Sequence, residues 1–328
     1  MLRIKINTEL INFVNIFSNT LFDEREKKFK RPLTKLDELK FKYTVGDESY
    51  LLEIIIKRYN EILKLTPKQQ QHWVNYIDKY YSEVFYKKHI GDKNKKATEF
   101  SNDIVEAMRY DEFRASETHK IINKIKVRSC VYCNSQLAIV IDKGAKRQAR
   151  FELDHYFPKS KYPFLCTSFF NLIPSCSNCN KGKSSSDVNI IHNFHLYTEF
   201  DELSLFEFKL ENSCIAEYLI NNDKSVLKLE FNDLGKEVMA EIHNQNYSII
   251  PIYNTQLDIA EELLWKYQCY TKAKKKDLRR FGIMFPNQKM IDRMIVGNYV
   301  NSNEIHNRPL AKFTQDLAKQ LGLISKPD

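Results

Sequence analysis

The sequence predicts an α+β chain: mostly helical flanks around a small central unit of strands and one helix, held by a structural zinc. Three observations carry this. Apolar residues recur at helical spacing through most of residues 1–120 and again beyond residue 230. Between residues 136 and 154 the period drops to that of strands. Two Cys-x-x-Cys pairs, Cys130/Cys133 and Cys176/Cys179, bracket that change. The expected organisation is a helical region over 1–120, a compact core over 121–190, and a mixed strand and helix region over 191–328.

The first helical face contains Leu51, Leu52, Ile54, Ile55, Ile56, Tyr59, Ile62 and Leu63. A second helix starts at Thr66-Pro67-Lys68-Gln69. Thr is a good N-cap, Pro suits the first helical position, and Gln at the third can close a capping box. Its face continues through Trp73, Tyr76, Ile77, Tyr80, Tyr81 and Phe85, an aromatic stripe expected in the core. The run 91–96 (GDKNKK) reads as a loop. Helical pattern resumes near Glu99 and at His119–Ile125. Gln136–Ile141 then reads as a strand, Asp142-Lys143-Gly144 as a turn, and Arg150–Asp154 as the returning strand. A helix can start at Cys176. The polar run Ser184–Asp187 suggests a break. Leu203–Leu210 and Ser225–Phe231 alternate like strands. Asp233–Asn246, Asn254–Lys276 and Asn287–Val296 read as helices, and a last amphipathic helix begins near Pro309.

Composition narrows the function classes. With 328 residues, 43% hydrophobic and 28% charged, the chain has the make-up of a soluble globular protein. There is no apolar run of about 18 residues, so no membrane span is expected. The first residues, MLRIKINTELINFVNIF, are broken by polar side chains and lack a small-residue cleavage site, so they are read as part of the fold. Four of seven cysteines sit in two close pairs. That pattern favours metal over disulfides and a cytoplasmic location. Cys166, Cys214 and Cys269 are expected to be buried free thiols.

The net charge of +9 is local. Lys120 to Ser185 carries 12 Lys/Arg against 3 Asp/Glu, which leaves 39 of each sign elsewhere from totals of 51 and 42. Such an excess at one place is the electrostatic footprint of a polyanion partner.

Four thiolates in two knuckles form the usual tetrahedral site for structural zinc. The 42 residues between Cys133 and Cys176 exceed ordinary zinc-ribbon spacing, so an insertion must loop out. That insertion holds Asp154-His155 and Asn171, and Asn180 follows the last cysteine directly. A carboxylate suits a hard cation such as Mg²⁺, and a neutral imidazole can take a proton from water near pH 7. Phosphodiester hydrolysis uses both. An Asp-His dipeptide alone is most often structural. Inside a zinc-pinned, strongly basic hairpin it reads as chemistry, provided the strand ends there so that both side chains can reach one site.

The elements CVYC, FELDHYFPKSKYP and FFNLIPSCSNCNKGKS, in that order, resemble HNH endonuclease domains of the ββα-metal group over about 55 residues. The resemblance implies DNA as substrate. It implies His155 as general base, Asp154 as ligand of a catalytic Mg²⁺ or Mn²⁺, and Asn171 as the residue that holds the loop and fixes the His155 ring. Asn180 stands where many members carry a second histidine as metal ligand, a departure in which an amide oxygen would ligate the hard metal, more weakly than a carboxylate. Lys159, Lys161, Lys181 and Lys183 would face phosphates.

The flanking segments IYNTQLDIAEELLWK and GNYVNSNEIHNRPLAKFTQDLAKQLG are similar to stand-alone bacterial HNH proteins of antiviral defence loci. There the HNH subunit partners an ATPase, as in Septu and some retron systems. Two other readings stay open: a non-catalytic zinc module that only binds nucleic acid, and a nuclease subunit silent until an ATPase partner docks. His306 and Arg308 read as structural or partner contacts, and His192 and His195 as surface histidines.

Overall fold

The computed structural model describes residues 1–88, 94–143, 146–183 and 192–324. One continuous buried cluster runs from Met1 to Ile324. Helices dominate both flanks, and all sheets among the described residues are two-stranded.

In the N-terminal half, the apolar face at 51–63 forms the Gly46–Lys57 helix and the short Tyr59–Ile62 helix, which meet at Arg58. The next helix, Pro67–Tyr80, has the expected capping box between Thr66 and Gln69. Its aromatic stripe splits: Phe85 is buried, Trp73 and Tyr76 are half-buried, and Tyr80 is exposed. Helices Glu99–Ala107, Tyr110–Ser116 and Thr118–Ile125 lead into the first knuckle. The first half of the expected loop at 91–96 and all of the break at 184–187 lie outside the described residues, while Lys96 opens a short strand with Ala97.

The strand pairing of the core differs from the sequence expectation. Ile139–Lys143 pairs with Lys146–Arg150, antiparallel, as a hairpin of its own. The strand carrying Asp154-His155 is Glu152–His155, and it pairs instead with Leu172–Ser175. The reason is burial. Leu153, Leu172 and Ile173 are all buried, so the Leu-Ile-Pro-Ser segment offers an apolar partner. A hairpin closed close by in sequence satisfies Ile139–Lys143 at small loop-closure cost. The Ser177–Gly182 helix follows and packs on the Glu152–His155 strand, completing a ββα unit.

The C-terminal half wraps this unit. Strands Glu207–Leu210 and Leu229–Asn232 pair antiparallel. Helices Glu237–Tyr247, Leu257–Cys269, Gln288–Val296 and Ala311–Gln320 fall near their expected places. Asn212–Asn221 is a further helix that the sequence reading left uncalled. The first residues join the fold: Ile4–Lys5 pairs in parallel with Tyr197–Thr198. Cys166 and Cys214 are buried free thiols as expected, whereas Cys269, at the end of its helix, is exposed.

Candidate active site

The four cysteines of the two knuckles converge. Their sulfurs all lie within 4.8 Å of one another, and Cys133 Sγ sits 4.0 Å from Cys176 Sγ. Zn–S bonds of about 2.3 Å in a tetrahedron put sulfurs about 3.8 Å apart, so the cluster can hold one zinc ion. The surrounding fold grips the first knuckle. Tyr253 Oη donates to the Cys133 carbonyl at 2.7 Å. His243 Nε2 lies 2.7 Å from the Tyr132 carbonyl.

Asp154 and His155 end their strand and are both buried, 7% and 8% exposed. They lean on different neighbours. Asp154 Oδ2 accepts from Tyr132 Oη at 2.6 Å and from Lys183 Nζ at 2.9 Å. His155 packs against the Tyr110 ring, centroids 4.8 Å apart, and its Nε2 lies 3.0 Å from the Cys166 carbonyl. A carbonyl only accepts, so Nε2 carries the proton in the neutral ring and Nδ1 keeps its lone pair. Burial first, then the charge of Lys159, pushes the His155 pKa down to about 3; the Cys166 carbonyl opposes this, and Lys183 and Arg114 add to it.

Asn171 is fully buried and stitches the loop between the two strands. Its Oδ1 accepts from Phe157 N at 2.8 Å, and its Nδ2 donates to the Phe157 and Leu165 carbonyls at 3.1 and 3.0 Å. Leu165 immediately precedes the carbonyl that holds His155. Asn180 lies on the Ser177–Gly182 helix, half-buried.

The four lysines have separate fates. Lys181 is exposed. Lys159 Nζ sits 4.1 Å over the Tyr110 ring, beside His155. Lys161 pairs with Asp78 at 3.3 Å. Lys183 turns inward: besides Asp154 it donates to the carbonyls of His155 at 2.6 Å and Tyr156 at 2.8 Å.

Several contacts here were invisible to sequence reasoning. Tyr110 comes from a flanking helix, Tyr132 from between the first two cysteines, and the key acceptor at Cys166 is a backbone atom. The only sequence trace is the tyrosine in CVYC, a large side chain where a knuckle needs none. His195 is buried rather than on the surface, 4% exposed, with its ring 4.2 Å from that of Tyr156.

A pair of cysteine knuckles that could hold zinc, set around a ββα unit with a histidine at the strand end, is the arrangement of a nuclease-type domain. The HNH endonuclease family model matches residues 130–186, and this stretch is an HNH endonuclease domain. Over 111 residues the chain is 34% identical to the Septu protein PtuB of Bacillus thuringiensis. That match covers 33% of this chain and 38% of the relative, so the chain spans well under two thirds of that protein's length. No solved structure matches the chain significantly. Among the described residues no helix is long and apolar enough to cross a membrane.

Proposed function

We propose that this chain is a metal-dependent endonuclease that hydrolyses DNA phosphodiester bonds in bacterial antiviral defence. The observation that carries the reading is His155. It is a buried imidazole at the end of its strand, with Nε2 tied to a carbonyl and burial favouring the neutral ring. Nδ1 takes the proton of the attacking water. Anionic phosphate docking beside the ring raises its pKa toward the working pH, since a nearby negative charge favours the imidazolium. Tyr110 and the Cys166 carbonyl fix the ring, and Asn171 fixes the loop that supplies that carbonyl. Lys159 and Lys181 meet the DNA backbone. Cys130, Cys133, Cys176 and Cys179 hold structural zinc.

Asp154 and Asn180 offer a carboxylate and an amide oxygen without sulfur, a donor set of the hard type that suits Mg²⁺ or Mn²⁺. Such an ion, when bound, supplies Lewis-acid stabilisation of the scissile phosphate and the leaving oxygen. Asp154 Oδ1 would be the carboxylate oxygen left for this role, since Oδ2 already accepts from Tyr132 and Lys183.

The test is nicking of supercoiled plasmid by the purified protein and by His155→Ala, with EDTA, Mg²⁺ or Mn²⁺. Metal-dependent nicking that disappears in the variant, with zinc content unchanged, is expected. Equal nicking by both proteins sinks the assignment. One observation favours a silent resting state: Lys183 already neutralises Asp154. In that case nicking appears only when a partner subunit, an ATPase by analogy with Septu systems, is added, and the partner should co-purify with the chain.

A further inference from the structure

A cavity of about 590 Å³ lies outside the nuclease site, within the size range of small-molecule sites. One wall is a single face of the Pro67–Tyr80 helix. Lys68, Gln71, His72 and Asn75 fall at positions i, i+3, i+4 and i+7, so four polar side chains share that wall. The lining also includes Arg3, Tyr197, Phe200 and Met239.

Arg3 is the anomaly. Its side chain belongs to a residue only 9% exposed. Among the described residues no carboxylate lies within ion-pair distance of it. Its guanidinium donates to the Met239 thioether, a weak acceptor, and sits 5.9 Å from the Phe194 ring centroid. The nearby acidic residues are committed elsewhere: Glu202 pairs with Lys236 and Glu199 with Lys68. A buried guanidinium pays its desolvation cost in full unless an anion meets it, and the planar fork matches phosphate oxygens. At the rim Phe200 is 61% exposed, a flat apolar face with Lys68 Nζ 5.2 Å from its centroid. The lining also carries the amides of Gln71 and Asn75, where Gln71 Nε2 donates to Asn75 Oδ1 at 2.8 Å, groups of the kind that read a polar ring edge.

We infer that this cavity binds a nucleoside phosphate, with the phosphate on Arg3, the base against Phe200, and the base edge or sugar on the Gln71–Asn75 ladder. The site does not depend on the nuclease reading. It does share a wall with the HNH domain, because His195, which lines the cavity, packs on Tyr156.

The experiment is calorimetric titration of the zinc-loaded full chain with AMP, adenosine and inorganic phosphate, repeated on Arg3→Met, Phe200→Ala and His155→Ala. AMP is expected to bind at least tenfold more tightly than adenosine or phosphate. Arg3→Met and Phe200→Ala should each weaken AMP tenfold or more, while His155→Ala should bind as the parent does. Arg3→Met removes an unpaired buried charge, so its melting temperature without ligand should match or exceed the parent's, and AMP should no longer raise it. AMP binding that is absent from the parent, or kept in Arg3→Met, overturns the proposal. Binding lost in His155→Ala but kept in Arg3→Met assigns AMP to the nuclease hairpin and also overturns it. A lower ligand-free melting temperature in Arg3→Met, with AMP binding unchanged in Phe200→Ala, makes Arg3 a packing residue and refutes the site.

Discussion

Replacing Lys183 by methionine separates two roles for one residue. The motif resemblance puts Lys183 on a DNA phosphate, whereas the fold puts its ammonium on Asp154 Oδ2 at 2.9 Å, with the two side chains each 9% exposed. At that distance and an effective dielectric of about 20, the gross attraction is about 6 kcal/mol. Part of this is offset by desolvation of both groups. Removing one partner of such a buried pair typically costs about 3–5 kcal/mol, because the other charge stays behind. Two carbonyls, of His155 and Tyr156, also lose their donor. Methionine keeps the apolar stem, so the change isolates the ammonium. The expected result in urea unfolding at fixed excess zinc is a loss of about 3–5 kcal/mol. Adding Asp154→Asn should shrink the cost of Lys183→Met to about 1 kcal/mol, which a double-mutant cycle reads directly. A Lys183→Met protein as stable as the parent but weaker on DNA refutes the clamp and restores the phosphate role.

Other outcomes follow from the same geometry. Cys176→Ser removes one of four clustered sulfurs; the protein should lose its zinc, near one per chain in the parent, and its core should unfold, as seen by metal analysis and circular dichroism. A soluble, zinc-loaded variant would place the metal elsewhere. Asn171→Ala deletes three hydrogen bonds from a fully buried side chain, so stability should fall by about 3 kcal/mol at about 1 kcal/mol each, and nicking should fall with it as the Cys166 carbonyl loosens. Acid should destabilise the fold early. Burial pushes His155, His195 and His243 down to about 3 and His306 to about 4, while all four titrate near 6.5 when unfolded. The unfolded chain therefore binds more protons between those values. The stability these groups contribute is complete above about pH 6.5 and is lost as pH falls toward about 3. Near pH 5 the slope should approach about 5 kcal/mol per pH unit, about 1.4 for each histidine. His306→Asn should remove about a quarter of that slope, and a melting temperature flat from pH 7.5 to 5 would contradict the burial argument.

The sequence by itself determined the parts whose physics is local or covalently spaced. The capping box at Thr66 and Gln69 is a four-residue agreement between side chains and their own backbone, and it formed as read. The two knuckles need only Cys-x-x-Cys spacing to present paired sulfurs, so the four-cysteine cluster was legible before any fold was known. The alternation in Leu203–Leu210 and Ser225–Phe231 signalled strands, which formed over Glu207–Leu210 and Leu229–Asn232 with one face of each buried or half-buried, while Lys224–Val226 became a 3-10 helix. Tertiary structure alone decided which segments meet. The sequence reading returned the Asp154 strand onto Gln136–Ile141, whereas the fold pairs Glu152–His155 with Leu172–Ser175, where Leu153, Leu172 and Ile173 are all buried. Lys183 looks like any basic residue after a cysteine knuckle. Only the folded hairpin brings a carboxylate and two carbonyls to one point, and that cage turns the ammonium inward. Arg3 and the Pro67–Tyr80 helix are separated by more than sixty residues of chain, and no spacing rule could have placed them around one cavity. Local rules fix what a few neighbouring residues can form, but the solvation of a charge depends on everything that surrounds it, and that is settled only when the chain has closed.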